Sequence, residues 1–84
     1  MGSVRVKPEG LAKKLLLLRT RLELSQLSMA EKLSDQKISL RKSDISRYES
    51  GLREPPLIIL LRYARLAKVS MESLVDDEID VENI

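Results

Sequence analysis

Leucine recurs at positions 11, 15, 18 and 22, at intervals of four, three and four residues. That spacing draws one apolar edge along a 3.6-residue helix and does not fit the two-residue period of a strand. Pro8 and Glu9 stand just ahead of it. A proline suits a first helical turn and a carboxylate suits the positive end of the helix dipole, so the spacing predicts a helix opening near Pro8. Leu16 and Leu17 widen the stripe, either as further core or as an exposed patch for a partner. The chain has only three Gly and three Pro, no Phe or Trp, and two aromatic residues, Tyr48 and Tyr63. Its core must therefore be built from Leu, Ile, Val, Met and Ala, a composition that favours helices over a β-sandwich. Eighty-four residues supply one small domain.

Ser25 is a good N-cap for a second helix, Gln26 to Leu33, with Met29, Ala30 and Leu33 on one face. A polar turn, Ser34 to Ser39, precedes a third helix placed at Leu40 to Ser50 with Ser39 as its cap; Asp35 is a rival cap that would start it four residues earlier. Ile45, Tyr48 and Leu52 form its apolar stripe, and Ser43, Ser46, Arg47 and Ser50 fall opposite. Gly51 sits where a helix end wants a left-handed residue. Pro56 suits the first turn of a fourth helix running to about Lys68, on which Leu57, Leu60, Leu61 and Ala64 face one way. Ile58 and Ile59 make that helix apolar nearly all round, which predicts a central position or an oligomer interface. Ser70 caps a short fifth helix from Met71 to about Val75. The expected organisation is a basic arm at 1–7, one all-α domain at 8–76, and an acidic tail at 77–84 that packs or pairs through Ile79, Val81 and Ile84.

The net charge of +2 conceals an asymmetry. Residues 1–53 carry twelve Lys and Arg against six Asp and Glu, whereas residues 54–84 carry three against seven. A basic first part suits a polyanion, and an acidic tail would be kept from it. With no Cys and no His, disulfides, thiolate or imidazole metal sites and the usual nucleophile and general base are excluded. No enzyme, cofactor or metal is expected. Asp76, Asp77 and Glu78 read as a solvated charge run. The longest apolar run, Leu15 to Leu18, is too short for a bilayer. No secretory pattern or myristoylation signal opens the chain, so a soluble, cytoplasmic protein is expected.

The order of fragments is more specific than any one helix. L-R-T-R-L-E-L-S-Q (Leu18 to Gln26) leads into M-A-E-K-L (Met29 to Leu33); then come I-S-R-Y-E-S-G (Ile45 to Gly51), R-E-P-P (Arg53 to Pro56) and L-L-R-Y-A-R-L-A-K-V-S-M-E-S-L (Leu60 to Leu74). Over roughly residues 11–76 this resembles the XRE-type helix-turn-helix family of lambda repressor and Cro. The resemblance implies a five-helix domain whose third helix enters the DNA major groove, commonly as a dimer on two half-sites. Carried over residue by residue, Gln26 matches a phosphate contact at the start of helix two. Lys42, Ser43, Ser46 and Arg47 match positions facing bases or nearby phosphates, with Arg47 the best candidate for bidentate guanine contact. Ser50 and Arg53 match loop positions that touch phosphate, and Arg41 lies at the helix entrance. Arg19 and Glu49 match an ion pair tying helix one to helix three. Asp44 could accept from a cytosine amino group, brace an arginine, or be solvated, the last being preferred.

The departure is the turn. The family usually has Gly after helix two and a turn about five residues shorter; here Ser34 stands in that place and Asp35 to Ser39 look inserted. A longer loop costs little entropy, and it brings Lys37 as a further backbone contact. The function implied is sequence-specific regulation of transcription on double-stranded DNA, in a bacterial or phage setting. The homodimer would form through helices four and five and the C-terminal segment. The rival class is a protein-interaction module, antitoxin-like or adaptor, that keeps the fold without the DNA role.

Overall fold

The computed structural model describes residues 8–84; the basic arm expected at 1–7 lies outside the described residues. Five helices follow in order: α1 (Leu11–Arg21), α2 (Gln26–Leu33), α3 (Lys42–Ser50), α4 (Leu57–Ala67) and α5 (Met71–Val75), with a 3-10 turn at Val81–Asn83. Among the described residues there is no strand, in line with the all-α reading. One core holds them, made of Leu11, Leu15 and Leu18 from α1, Met29, Ala30 and Leu33 from α2, Ile45 and Tyr48 from α3, Ile59, Leu60, Tyr63 and Ala64 from α4, and Leu74 from α5.

The N-caps of α2 and α5 are the serines expected. Ser25 Oγ accepts from Ser28 N–H at 3.0 Å and Ser70 Oγ from Ser73 N–H at 3.1 Å, each satisfying a donor that the helix start leaves open. Other boundaries move. α1 starts at Leu11, with Pro8 and Glu9 ahead of it. The Asp77 carboxylate accepts from the N–H groups of Glu9 and Gly10 at 2.9 and 3.0 Å, and those two residues are held in a turn. Leu16 is exposed, so the stripe it widens reaches the surface. On α4 the inward positions are Ile59, Leu60, Tyr63 and Ala64, while Leu57, expected on the inner stripe, is 73% exposed. Leu52 is 80% exposed, not continuous with Ile45 and Tyr48. Gly51 adopts the left-handed region (φ 78°), and beyond that reversal helical spacing no longer applies.

The long turn is where sequence and structure differ most. α3 begins at Lys42, neither at Leu40 with a Ser39 cap nor four residues earlier with an Asp35 cap. Leu40 gives its N–H to Ser34 Oγ at 2.8 Å and packs its side chain against the core, which holds it out of the helix. Arg41 is the extended N-cap residue; its N–H goes to the Asp44 carboxylate at 2.8 Å, and Asp44 N–H returns to the Arg41 carbonyl at 3.0 Å. Asp35 caps its own loop, its Oδ1 accepting from Lys37 and Ile38 N–H, both at 2.8 Å. Ser34 is extended (φ −86°), so this position makes no demand for glycine.

The acidic segment after α5 folds back on α1. Lys14 lies on the leucine edge and is 1% exposed. Its ammonium donates to the Asp76 carbonyl at 2.8 Å. Arg21 donates to the carbonyl of Ile84, whose side chain packs against the core. The run Asp76 to Glu78 is thus not a merely solvated one: Asp77 closes the start of α1, and Asp76 Oδ1 accepts from Glu78 N–H.

Candidate nucleic-acid interface

The inner side of α3 is fixed before its outer side is considered. Ile45 and Tyr48 are buried. Glu49, one residue further round, chelates the Arg19 guanidinium with two bonds, Nε to Oε2 at 2.6 Å and Nη2 to Oε1 at 3.0 Å. The pair is the brace expected between helices one and three. Arg19 also donates Nη1 to the Leu24 carbonyl at 2.9 Å, which ties the α1–α2 connection to the same point. Donating to the Glu49 carboxylate holds the guanidinium pKa above its ordinary value despite partial burial. Burial of the Tyr63 ring pushes its phenol strongly upward, and its hydroxyl has no hydrogen-bond partner among the described residues.

Gln26 joins this brace. Its Nε2 donates to Glu49 Oε1 at 3.1 Å, so the side chain at the start of α2 is anchored to α3. An amide nitrogen carries two hydrogens; the second remains to meet an anion in front of the α2 N-terminus, where the dipole favours one.

On the outer side, Arg41, Lys42, Ser43, Ser46, Arg47, Ser50 and Arg53 are all exposed. They do not form one even row. Arg41, Ser43, Arg47 and Arg53 line a cleft of about 390 Å³ between the turn, α3 and the start of α4, whose other walls include Ile38, Pro56 and Ile58. Lys42, Ser46 and Ser50 lie outside that cleft. Ser50 Oγ donates back to the Arg47 carbonyl at 3.2 Å. Arg53 pairs with Asp44 at 3.3 Å, and its backbone N–H reaches the Arg47 carbonyl at 3.3 Å after the Gly51 reversal.

Asp44 therefore differs from the preferred solvated reading. It caps α3 with one carboxylate oxygen and braces Arg53 with the other. The sequence carries only half of that signal: Asp44 stands three residues past Arg41, but Arg41 lacks the serine or threonine oxygen that marks a capping box. Two other residues were missed. Lys14 sits three residues past Leu11 and four before Leu18, a cation on an apolar edge, and that was the available signal. Arg62 carries no local signal; it emerges only when α4 meets the long turn, where it donates to the Leu33 carbonyl at 2.8 Å and to Asp35 Oδ2 at 2.6 Å.

Comparison with known proteins gives one family. A helix-turn-helix model of the XRE/Cro/C1 type matches residues 15–74, a span holding the braces, the long turn and α3. No curated protein and no solved structure matches the chain.

Proposed function

The chain belongs to the helix-turn-helix family, a DNA-binding one, and from that premise we propose that it is a sequence-specific transcriptional regulator that binds double-stranded DNA as a homodimer. The carrying observation is the two-sidedness of α3: Ile45 and Tyr48 buried and Glu49 locked to Arg19 inside, Lys42, Ser43, Ser46 and Arg47 exposed outside. A helix held so firmly from behind presents its cations and hydroxyls with no backbone left to order, as groove reading favours. In this reading Arg47 contacts base edges, Gln26, Arg41 and Arg53 hold phosphates, and Ser50 joins them by turning its hydroxyl away from the Arg47 carbonyl. Leu57 and Ile58 on α4 and Val75 on α5 are exposed apolar residues that support pairing of two copies. The same residues support a second reading, a protein-interaction module without a DNA role.

Selection of bound sites from random DNA, followed by titration over a range of salt, tests the proposal. Counterion release predicts affinity that falls steeply with salt, and a dimer predicts a palindromic site with half-sites about one helical turn apart. Absence of salt-sensitive binding, even at low ionic strength, sinks the DNA reading and leaves the interaction module.

A further inference from the structure

The turn between α2 and α3 is long, yet both its ends and its Asp35–Ile38 centre are tied. Ser34 Oγ donates to the Ala30 carbonyl at 2.7 Å and accepts from Leu40 N–H at 2.8 Å. Asp35 N–H meets the Ile38 carbonyl at 2.8 Å while Asp35 Oδ1 accepts from Lys37 and Ile38. Ile38 and Leu40 pack the turn against the core, and one side chain from α4 grips it. Arg62, half-buried on α4, forks to the last carbonyl of α2 at Leu33 and to the free oxygen of Asp35. A planar guanidinium suits that fork, since two donors in fixed geometry hold two acceptors at once; a lysine has three donors on one rotating nitrogen and lacks the flat fork that fixes their spacing.

We propose that the Arg62–Asp35 clamp is a positioning device for DNA recognition. It fixes the long turn against α4, and through the turn it sets where α3 begins and holds exposed Lys37 as an additional phosphate contact beside the groove. The inference rests on the DNA-binding reading and extends it to residues outside α3. Arg62 acts through the turn and touches no base. A short turn fixes two helices by having few conformations; a longer one needs added constraints to do the same, and the fork from α4 supplies the polar one beside the core packing of Ile38 and Leu40.

The test compares the full chain with Arg62→Ala, Arg62→Lys, Asp35→Asn and Lys37→Ala, all on the site selected above and on mixed competitor DNA. Arg62→Ala is expected to weaken binding to mixed DNA only as far as Lys37→Ala does, through the shared loss of one phosphate contact, and to weaken the selected site about tenfold more than that, so the ratio collapses. Mere loss of folded protein would lower both together. Arg62→Lys should recover only part of the ratio, and Asp35→Asn, an exposed change that spares the helices, should reproduce the loss if Arg62→Ala fails to fold. Lys37→Ala should weaken all sequences alike and reduce the salt slope by about one, and should add nothing to that slope in the Arg62→Ala background. A parent chain that discriminates beside clamp variants that discriminate equally well overturns this inference alone. A parent chain with no preferred site overturns the proposed function and this inference with it.

Discussion

Two faces of this small domain carry cations, and they treat them in opposite ways. Along α1, Lys14 is buried against the Asp76 carbonyl, Arg19 is chelated by Glu49, and Arg21 reaches the Ile84 carbonyl. Along α3, Arg41, Lys42 and Arg47 are exposed and make no ion pair within the described residues. The first face uses charge to sew the chain together; the second leaves charge for an outside partner. The difference shows how a chain of net charge +2 can present a basic surface: the acidic C-terminal segment lies on the sewn side, and on the α3 side Asp44 pairs with Arg53 while Arg41, Lys42 and Arg47 have no ion-pair partner among the described residues. Substitutions on the first face should move stability, and those on the second should move binding.

The strongest test of that division is Glu49→Ala. Glu49 is 6% and Arg19 18% exposed, so removal of the carboxylate strands a mostly buried guanidinium. Loss of about 3 kcal/mol in denaturant unfolding is expected, the lower end for a broken buried pair because Arg19 retains some water. Glu49→Gln, which keeps an acceptor for Arg19 and Gln26, should lose less. If Glu49→Ala instead leaves stability intact, the brace is not structural and the contrast fails. The complementary test is Arg47→Ala. Unfolding should change by less than about 0.5 kcal/mol, while binding to the matched site weakens by about 1–3 kcal/mol with relaxed specificity at one base pair.

A smaller effect of opposite sign is expected inside the core. The Tyr63 hydroxyl is buried without a hydrogen-bond partner among the described residues, and burial raises its pKa strongly. Tyr63→Phe keeps the ring and removes the unsatisfied group, so thermal unfolding should show a gain of up to about 1 kcal/mol. A loss on that substitution would mean the hydroxyl has a role that the described contacts do not contain.

How much of this was legible in the sequence follows the same division. Features set by local rules were readable: the leucine edge of α1, the Ser25 and Ser70 caps, the left-handed Gly51, and the Arg19–Glu49 brace implied by resemblance. Features set by meetings between distant segments were not. Leu40 looks helical by spacing, yet α3 starts only at Lys42, because Ser34 holds the Leu40 N–H and the core holds its side chain. Leu57 looks inward on α4 by spacing, but Ile59, Leu60, Tyr63 and Ala64 fill that side and leave it exposed. The outer residues of α3 were readable as exposed polar positions, but the cleft that gathers Arg41, Ser43, Arg47 and Arg53 depends on the folded turn. No local pattern announces Arg62, whose two acceptors lie 29 and 27 residues away.

The finest test concerns the seam itself and uses pH. The N–H groups of Gly10 and then Glu9 hold the Asp77 carboxyl below its ordinary pKa, and those of Ile38 and Lys37, with Arg62, do the same for Asp35. A carboxyl whose pKa is lower in the folded state stabilises above its unfolded value, about 3.9, and that contribution disappears as pH falls through the folded value. Thermal stability should therefore be flat between about pH 7 and 5 and fall below about pH 4. Asp77→Asn keeps an oxygen acceptor but cannot titrate, so its curve should start lower near neutrality and converge with the parent in acid. Asp35 still titrates, which leaves the variant with part of the acid dependence. Because Asp77 belongs to the sewn side, the salt slope of DNA binding at neutral pH should not change in Asp77→Asn. A changed slope would mean that the acidic segment also screens the α3 face, and the two faces would then be one electrostatic system.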